Sequence, residues 1–353
     1  MFQDISVEDL QEMQKDQALV LIDVRSPSEF EESTIPRSVN IPIFTDEERA
    51  EIGTIYKQVS VEAAKQRGLE IVSAKLPDFI KAFSRYKEPK VIYCWRGGMR
   101  SKTSATLVDL MGIETMRLVG GIHAYRTWVV GTLEKLSSTF TSEAIVINGY
   151  TGSGKTKILQ SLQEKGYPVL ELEGMANHRG SVFGQIGKTP HNQKMFELLF
   201  VQQALEVKNS PYVLFEAESK RVGRATVPDF LLEKKINGHH IFIDLPMEER
   251  VLNILDDYRP WEYADQCMLA FQKLKKRIHT PIAAQIEKDL QTGDYKSAVK
   301  LLLEYYYDPK YYHTAEQIDP EKSTVLHVKN TEEAVQEIEK ILFEKVGNIK
   351  VNK

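Results

Sequence analysis

The sequence predicts two consecutive α/β domains, each built on a parallel β-sheet, with a helical extension at the C-terminus. A length of 353 residues corresponds to two domains of ordinary size. Short apolar segments alternate with longer amphipathic segments, which is typical of parallel strands joined by helices. Two glycine-rich loops each follow an apolar segment and precede a helical one. We expect the domains at residues 1–136 and 137–353, joined by the polar stretch 137–142.

The composition places the chain among water-soluble globular proteins. Hydrophobic residues make up 42% and charged residues 27%, which excludes a disordered, collagenous or coiled-coil chain. Apolar runs stay shorter than the roughly 18 residues that a membrane helix requires, and the first residues lack the basic-then-apolar order of a signal peptide. We therefore expect a cytoplasmic protein with no membrane partner.

Charge and cysteine content exclude two further classes. The chain has 46 Lys and Arg against 50 Asp and Glu, a net charge of −4, so it does not coat nucleic acid by net positive charge alone. A local basic patch remains open. Cys94 and Cys267 cannot form a disulfide framework, and neither lies in a zinc-ligand pattern. We predict no metal site and no tightly bound cofactor.

The first domain shows a strand, a glycine-rich loop and a helix in direct succession. Its predicted strands are residues 18–23, 39–42 and 91–93. Cys94 stands where the third strand ends. The loop WRGGMR follows at 95–100, and a helical stretch at 103–111 ends at Gly112. The cysteine therefore lies where a loop opens into a helix.

This position gives Cys94 a reason to be reactive. Loop amides and the helix dipole favour an anion, and Arg96 and Arg100 add positive charge, so we expect a thiolate of lowered pKa. Ser101 completes the pattern of cysteine, five residues, arginine and serine. The alternative is that Cys94 is only a small buried hydrophobic residue. We predict a catalytic group of Cys94, Arg96, Arg100 and Ser101.

The second domain opens with a phosphate-binding loop. Residues 143–148 predict a strand, and the next eight, GYTGSGKT, fit the pattern G-x-x-x-x-G-K-[ST] with a helix after it. The amides of such a loop cradle a phosphate chain, its lysine reaches the terminal phosphates, and its hydroxyl permits a Mg²⁺ ion. The predicted phosphate- or diphosphate-binding residues are Gly149, Gly152, Ser153, Gly154, Lys155 and Thr156.

The acidic partner of this loop is unusual. A predicted strand at 212–215 leads into Glu216 and Glu218, where a P-loop enzyme commonly supplies a single aspartate. A further strand at 241–244 ends at Asp244, which we interpret as structural. The sequence therefore leaves open which residue would bind a metal ion together with the Thr156 hydroxyl.

Polar segments between these strands predict substrate contacts. Residues 173–184 are too polar for a core and are interpreted as a substrate loop. Guanidinium and ammonium groups in two such segments suit the phosphate of a nucleotide, a diphosphate or RNA. A solvated charged surface explains any one of them equally well. The predicted substrate-binding residues are His178, Arg179, Glu216, Glu218, Lys220 and Arg221.

The last third of the chain carries two ambiguous stretches. The basic residues at 273–277 predict a solvated helix face more readily than an RNA contact. The aromatic stretch at 305–312 is equally consistent with stacking on bases and with core packing.

Three segments of the first domain resemble a rhodanese domain, which carries sulfur or selenium on cysteine. They are residues 22–30 (IDVRSPSEF), residues 35–42 (IPRSVNIP) and the Cys94 loop. Two departures stand out: Thr34 replaces a histidine common in rhodaneses, and the loop is one residue longer than in sulfurtransferases. Relatives with longer loops include phosphatases and arsenate reductases, which hold a tetrahedral oxyanion.

Nearly the whole chain resembles the tRNA 2-selenouridine synthases. The segments that carry the resemblance are YCWRGGMRS (93–101), the P-loop (149–156), LEGMANHRGS (172–181) and EAESKRVG (216–223). The resemblance implies a rhodanese-like domain followed by a P-loop domain, acting on the wobble 2-thiouridine of tRNA. It implies that geranyl diphosphate, held by the P-loop, first alkylates that sulfur, and that selenium from selenophosphate then replaces it. We expect Cys94 to accept this selenium as a selanyl-cysteine, while Arg96, Arg100 and the loop amides stabilise the departing phosphate.

Other functions remain open from the residues alone. A rhodanese-type phosphatase or arsenate reductase would use Cys94 and Arg100 on an oxyanion. A P-loop kinase with an accessory rhodanese module would hydrolyse ATP through Lys155 without tRNA. A non-catalytic protein would use the rhodanese fold only for docking, which the intact Cys94 loop argues against.

Overall fold

The computed structural model describes residues 2–310 and 320–346. The chain divides into two compact units, Met1–Lys135 and Leu136–Lys353. The division falls within a helix, Gly121–Thr139, so the first residues of the predicted polar linker at 137–142 are helical. None of the described helices has both the length and the apolar character needed to cross a membrane.

The first unit is a parallel sheet covered by helices. Its strands are β1 (Gln3–Ile5), β2 (Val20–Asp23), β3 (Val39–Asn40), β4 (Lys90–Tyr93) and β5 (Thr115–Leu118). Its helices are α1 (Val7–Asp16), α2 (Pro27–Glu32), α3 (Asp46–Gln58), α4 (Val61–Phe83), α5 (Met99–Leu110) and α6 (Gly121–Thr139). The strands lie in the order β1-β5-β4-β2-β3, all parallel. The three predicted strands are confirmed, and α5 begins four residues earlier than predicted.

A buried polar network fixes the ends of β2 and β4. Arg25 is almost fully buried and donates to Asp23 Oδ2 at 2.7 Å and to the Ser33 carbonyl at 2.6 Å. The Thr34 hydroxyl lies 3.1 Å from Asp23 Oδ2 and 2.7 Å from the Tyr93 hydroxyl. Paired in this way, the buried charges avoid the penalty of an unsatisfied ion. Thr34 is thus part of the scaffold beneath the Cys94 loop.

The second unit contains a five-stranded parallel sheet, a separate antiparallel pair of short strands, Arg221–Val222 and Ala225–Thr226, and a helical region towards its C-terminus. Its strands are β6 (Glu143–Gly149), β7 (Val169–Leu170), β8 (Tyr212–Glu216), β9 (Arg221–Val222), β10 (Ala225–Thr226), β11 (His239–Asp244) and β12 (Ser323–His327). Its helices are α7 (Lys155–Glu164), α8 (Leu172–Ala176), α9 (Gln193–Val207), α10 (Asp229–Asn237), α11 (Met247–Tyr258), α12 (Ala264–Leu274), α13 (Thr280–Thr292), α14 (Tyr295–Leu302) and α15 (Thr331–Val346).

The order of the main sheet, β12-β11-β6-β8-β7, places the P-loop at its centre. The chain passes from β6 to one side of the sheet for β7 and β8, and to the other side for β11 and β12. The carboxyl end of β6 is therefore the switch point, where α/β sheets bind ligands. β12 was not predicted, since the sequence indicated only helices in this region.

Candidate active sites

Cys94 follows β4 directly and begins the loop that leads into α5. The Cys94 carbonyl accepts a hydrogen bond from the Ile122 amide at 3.0 Å, and the Trp95 carbonyl accepts one from the His123 amide at 3.0 Å. These bonds tie the start of the loop to the first turn of α6. The loop conformation is therefore set by a segment more than twenty residues away in the sequence, as well as by its own residues.

Glycines permit the close approach of these two segments. Gly97 and Gly121 have φ angles of 63° and 58°. A Cβ atom at Gly121 would lie 2.1 Å from the Cys94 carbonyl oxygen and 2.7 Å from the Gly97 nitrogen. Any side chain at position 121 would therefore force the reactive loop away from α6.

The Cys94 side chain is buried at the base of its loop. The residue is only 3% exposed, and it packs in the apolar cluster that includes Ile92 and Ala105. Its Sγ atom donates to the Ser101 hydroxyl at 3.2 Å, which in turn donates to the Gly98 carbonyl at 3.2 Å. The alternative interpretation, in which Cys94 is only a small buried hydrophobic residue, therefore describes the surroundings of this side chain correctly. The catalytic role predicted for Cys94 stays a prediction, because reactive cysteines are typically partly exposed.

The two predicted arginines are placed differently from what we expected. Arg100 forms two hydrogen bonds with the Glu29 carboxylate, at 2.5 and 3.2 Å. Burial alone would raise the pKa of Glu29, but the hydrogen bond and charge of Arg100 hold this pKa below its ordinary value. Arg96 is exposed and pairs with no carboxylate among the described residues. In this state the charge of Arg100 is balanced by Glu29.

The cation that contacts the Cys94 loop is Arg117, which the sequence analysis missed. It lies on β5 and donates to the Gly97 carbonyl at 2.8 Å and to both carboxylate oxygens of Asp4 at 2.7 and 2.6 Å. The Asp4 hydrogen bond raises the pKa of Arg117 against the effect of burial, and the charge of Asp4 and an electrostatic interaction with Cys94 raise it further. Arg117 is therefore positioned to stabilise negative charge at Cys94. Its neighbouring residues in sequence give no sign of this contact.

The P-loop of the second unit adopts the conformation that its glycines permit. Gly152 and Gly154 have φ angles of 83° and 73°. The Lys155 ammonium group donates to the Gly149 carbonyl at 3.1 Å, and the Thr156 hydroxyl donates to Glu173 Oε2 at 2.8 Å. A cavity of about 630 Å³ opens at this loop, lined by Lys155, Thr156 and other residues of the second unit. The loop thus faces a space large enough for a sizeable ligand.

Three glutamates interact with one another near the P-loop: Glu173, which contacts Thr156, and Glu216 and Glu218, which interact with Glu173. Glu216 ends β8, is 1% exposed and accepts from the Glu173 amide at 2.7 Å through Oε1, while its Oε2 has no partner among the described residues. Burial, and then the charge of Glu173, raise the pKa of Glu216 well above its ordinary value. The same two causes raise the pKa of Glu218 to about 7. Burial also raises the pKa of Glu173, although Lys155 and Thr156 lower it.

Arg250 fixes the P-loop from the side. Its Nε donates to the Thr151 carbonyl at 2.9 Å, and its terminal nitrogens donate to the Asp308 carboxylate at 2.5 and 3.0 Å. The guanidinium also lies over the Tyr150 ring, 4.9 Å from its centroid. The sequence alone gave no sign of this role of Arg250.

The predicted substrate residues separate into two groups. Arg179 and Glu218 line the large cavity, and Arg179 lies over the Tyr258 ring at 4.6 Å. His178 packs against Gly184 and Gly223, and burial and then nearby positive charge lower its pKa. Lys220 and Arg221 are exposed and are not part of the cavity wall in the described structure. The cavity is also lined by Lys188, Asp257, Tyr306 and Lys310, which the sequence did not single out.

The aromatic stretch near the C-terminus is partly described. Tyr305 is exposed, whereas Tyr306 is buried and lines the large cavity together with Tyr307. Lys310 Nζ lies 3.4 Å from the centroid of the Tyr306 ring. Tyr311 and Tyr312 lie outside the described residues. Within the described part, the stretch serves packing and the cavity wall.

Comparisons with known proteins match both units. A protein-family model described as the tRNA 2-selenouridine synthase AAA domain matches residues 142–269, and a rhodanese-like domain model matches residues 6–127. A tRNA 2-selenouridine synthase from Bdellovibrio bacteriovorus is 34% identical over 342 residues, covering 84% of this chain and 88% of that protein. The chain belongs to the tRNA 2-selenouridine synthase family.

Other members of the tRNA 2-selenouridine synthase family match to a similar extent. The protein from Nitrosomonas eutropha is 32% identical and covers 82% of this chain and 87% of its own length. The protein from Sulfurovum sp. is 32% identical, with coverage of 92% and 94%. The family resemblance inferred from the motifs is thus confirmed, and so is the fold class of a rhodanese-like domain followed by a P-loop domain with a helical C-terminal part.

Proposed function

We propose that this protein replaces the sulfur of wobble 2-thiouridine in tRNA by selenium. The observation that carries the proposal is the family match along most of the chain, combined with two intact anion-binding loops at strand ends. One loop begins at Cys94 after β4, and the other leads to Lys155 after β6. Each loop is followed by a helix whose N-terminus favours a negatively charged group.

The second unit is assigned to geranylation. The thiocarbonyl sulfur attacks C1 of geranyl diphosphate, a C–S bond forms, the C–O bond breaks and diphosphate leaves. The Lys155 ammonium group and the loop amides stabilise the charge that develops on the departing diphosphate. Alkylation turns sulfide, a poor leaving group, into a geranyl thiolate, so the step prepares C2 for selenium.

The same alkylation releases the proton on N3 of the uracil ring. We assign Glu218 to accept it, because its carboxyl lines the cavity that contains Lys155. Burial, and then the charge of Glu173, raise the pKa of Glu218 to about 7, close to the value that suits a base at neutral pH.

A Mg²⁺ ion fits beside the diphosphate. Oxygen donors are what Mg²⁺ prefers, and it is commonly held by one or two carboxylates together with substrate phosphates. The Thr156 hydroxyl and the Glu173 carboxylate, whose oxygens are 2.8 Å apart, would hold it. Among the described residues no three acidic, histidine or cysteine side chains form a complete site alone. A bound ion would add positive charge near the leaving diphosphate.

Electron balance limits the role of Cys94. In the overall conversion, geranylated 2-thiouridine, selenophosphate and water give 2-selenouridine, geranyl thiol and phosphate. Selenium stays at the oxidation level of selenide throughout. A selanyl-cysteine would be two electrons more oxidised and would require both an oxidant and a reductant. We therefore propose that the Cys94 thiolate attacks the phosphorus atom of selenophosphate. An S–P bond forms, the P–Se bond breaks, and selenide leaves with the electron pair.

The remaining steps balance without a redox partner. Selenide attacks C2 of the geranylated uridine, the C–S bond breaks, and the two protons of hydrogen selenide go to N3 and to the departing thiolate. Water then hydrolyses the phosphocysteine at Cys94 to phosphate. Arg117 and the amides of the loop would stabilise the phosphoryl oxygens during transfer.

Nucleoside analysis tests the function directly. Purified protein is incubated with tRNA that carries 2-thiouridine, first with geranyl diphosphate and then with selenophosphate. We expect geranylated 2-thiouridine after the first addition and 2-selenouridine after the second. Unchanged nucleosides, together with Lys155-dependent ATP hydrolysis or Cys94-dependent hydrolysis of a phosphate ester, would favour a kinase or a phosphatase instead.

A labelling experiment tests the role of Cys94. Selenophosphate labelled either on phosphorus or on selenium is mixed with the protein, and the reaction is quenched before turnover. We expect the phosphorus label on the Cys94 peptide. Selenium on this peptide without phosphorus would replace our assignment by a selenium carrier.

A further inference from the structure

A second, apolar cavity of about 60 Å³ adjoins the phosphate cavity of the second unit. The two cavities share wall residues, so they lie next to each other. The shared residues are Thr151, Ser181, Ile254, Tyr258 and Tyr307. Thr151 belongs to the P-loop itself, which places the apolar cavity directly beside the group that holds phosphate.

The walls of the small cavity suit hydrocarbon. They include Phe183, Ile186, Cys267, Leu302 and Leu303, and no charged side chain lines them. Two of the hydroxyl groups at the shared wall, those of Ser181 and Tyr258, bond to each other at 3.0 Å. A nucleotide base would lose the hydrogen bonds of its polar edges here, whereas an apolar chain would lose none.

The size of the cavity limits the chain length. One water-sized group needs roughly 10–15 Å³ on this measure, so the cavity accepts about four to six such groups. This is close to the five carbons of one isoprene unit. We propose that the small apolar cavity holds the distal isoprene unit of a prenyl diphosphate whose diphosphate lies at the P-loop, and that it selects the ten-carbon chain.

The inference rests on the proposed geranyl transfer and adds the residues that recognise the tail. It also gives Cys267 a role, because this buried thiol is part of the wall. Burial raises the pKa of Cys267 to about 11, so it remains a neutral, apolar surface at physiological pH. The chain of a fifteen-carbon substrate would extend beyond the cavity into the packed residues Leu302 and Leu303.

The test compares dimethylallyl, geranyl and farnesyl diphosphate as substrates. Transfer of each prenyl group to tRNA that carries 2-thiouridine is measured in a single turnover. We expect the dimethylallyl compound to bind at least about 100-fold more weakly than the geranyl compound, because about five apolar carbons are left in water. We expect the farnesyl compound to be at least about tenfold less efficient, because its third unit has no space. Equal use of the three diphosphates would overturn the assignment.

Val299→Phe narrows the cavity from a partly exposed position on α14. We expect the KM for geranyl diphosphate to rise at least about tenfold, while the affinity for inorganic diphosphate and the affinity for the dimethylallyl compound stay within about twofold. Lys296→Phe, on the same helix but exposed and outside the cavity wall, is the matched control and should change neither. Cys267→Met is a second variant that fills the same space from α12 and should act in the same direction.

The two proposals fail in different ways. If the unmodified protein forms no geranylated nucleoside, the proposed function fails. If it does form this product, but Val299→Phe and Cys267→Met keep the wild-type KM and chain-length preference, only the tail-binding cavity is excluded. The retained affinity for inorganic diphosphate shows in each case that the variant is folded at the P-loop.

Discussion

The Arg117 guanidinium donates a hydrogen bond of 2.8 Å to the carbonyl oxygen of Gly97, in the middle of the Cys94 loop. Arg117 is itself held by Asp4 across the β1–β5 pair. The sheet therefore supplies the loop with both a mechanical support and a positive charge. This relationship leads to the first prediction.

Arg117→Gln is expected to lower the rate of selenation by about 100-fold, because a charged donor near the developing anion is lost. Geranylation should stay within about twofold. Asp4→Asn is the matched control: it removes the ion pair on the far side of Arg117 and leaves the Gly97 contact, so it should cost far less. Rates of both half-reactions, measured on tRNA by nucleoside analysis, check this. An equal loss in both variants would argue that Arg117 only supports the fold.

Cys94→Ala is expected to abolish selenation and to leave geranylation at the wild-type rate, because the two steps are assigned to different units. Geranylated 2-thiouridine should then accumulate in tRNA treated with both co-substrates. Ser101→Ala, which removes the hydroxyl that contacts the sulfur at 3.2 Å, should lower selenation only partially. Loss of geranylation in Cys94→Ala would contradict the division of labour.

Lys155→Ala is expected to lower geranylation by at least about 100-fold, because the charge that stabilises the departing diphosphate disappears. A tRNA that already carries the geranyl group should still be selenated. Lys165→Ala, at the end of α7 and paired with Glu339 at 2.7 Å, serves as the control and should be active. Full geranylation by Lys155→Ala would remove the P-loop from the mechanism.

The contribution of Glu216 and Glu218 to stability is expected to fall as the pH rises. Burial raises the pKa of Glu216 and of Glu218 above the value of 4.5 that glutamates have without such burial, so the folded state binds these protons more tightly. Their stabilising contribution is therefore complete below pH 4.5 and is lost as the pH rises through the folded-state pKa, about 7 for Glu218. The lowered pKa of His178 acts in the opposite direction, so thermal unfolding between about pH 5 and pH 8 is compared between the wild type and a variant of Glu216 to isolate this decline.

Glu216→Gln should flatten that decline, since it removes a buried group whose charged form is disfavoured. The hydrogen bond from the Glu173 amide can be kept by the glutamine carbonyl. Glu332→Gln, at an exposed position in the first turn of α15, is the control and should follow the wild-type curve. If the dependence of thermal unfolding on pH is the same for Glu216→Gln as for the wild type, Glu216 does not retain a proton in the folded protein.

Affinity for tRNA is expected to fall steeply with salt. Several phosphates must be neutralised by Lys and Arg, and the counterions released on binding make the affinity depend on salt concentration. Binding of the same tRNA measured at two or more salt concentrations gives the slope. A flat response would count against tRNA as the substrate, given the net charge of −4.

The sequence predicted those features that depend on residues close together in the chain. The strands before Cys94 and before the P-loop, and the helices after them, follow from apolar runs and glycine positions that one short segment contains. The glycines of the P-loop likewise reveal its backbone conformation, because positive φ angles are inexpensive only for glycine.

Contacts between distant segments could not be predicted in this way. Arg117 and Gly97 are twenty residues apart, and Thr151 and Arg250 are ninety-nine apart, so no spacing rule joins either pair. The sequence indicated Arg100 as a charge for the loop, whereas Glu29 on α2 pairs with it. The raised pKa of Glu216 also depends on burial, which only the folded sheet creates.

Strand β12 and helix α15 complete the core of the second unit from the far end of the chain. Val328, Ala334, Ile338 and Leu342 share one apolar cluster with Ile158 and Leu162 of the P-loop helix. During synthesis, Ile158 and Leu162 therefore remain without much of their packing until the ribosome has added residues 328–342. The residues of the first unit emerge earlier, so this unit can fold before the core of the second unit is complete.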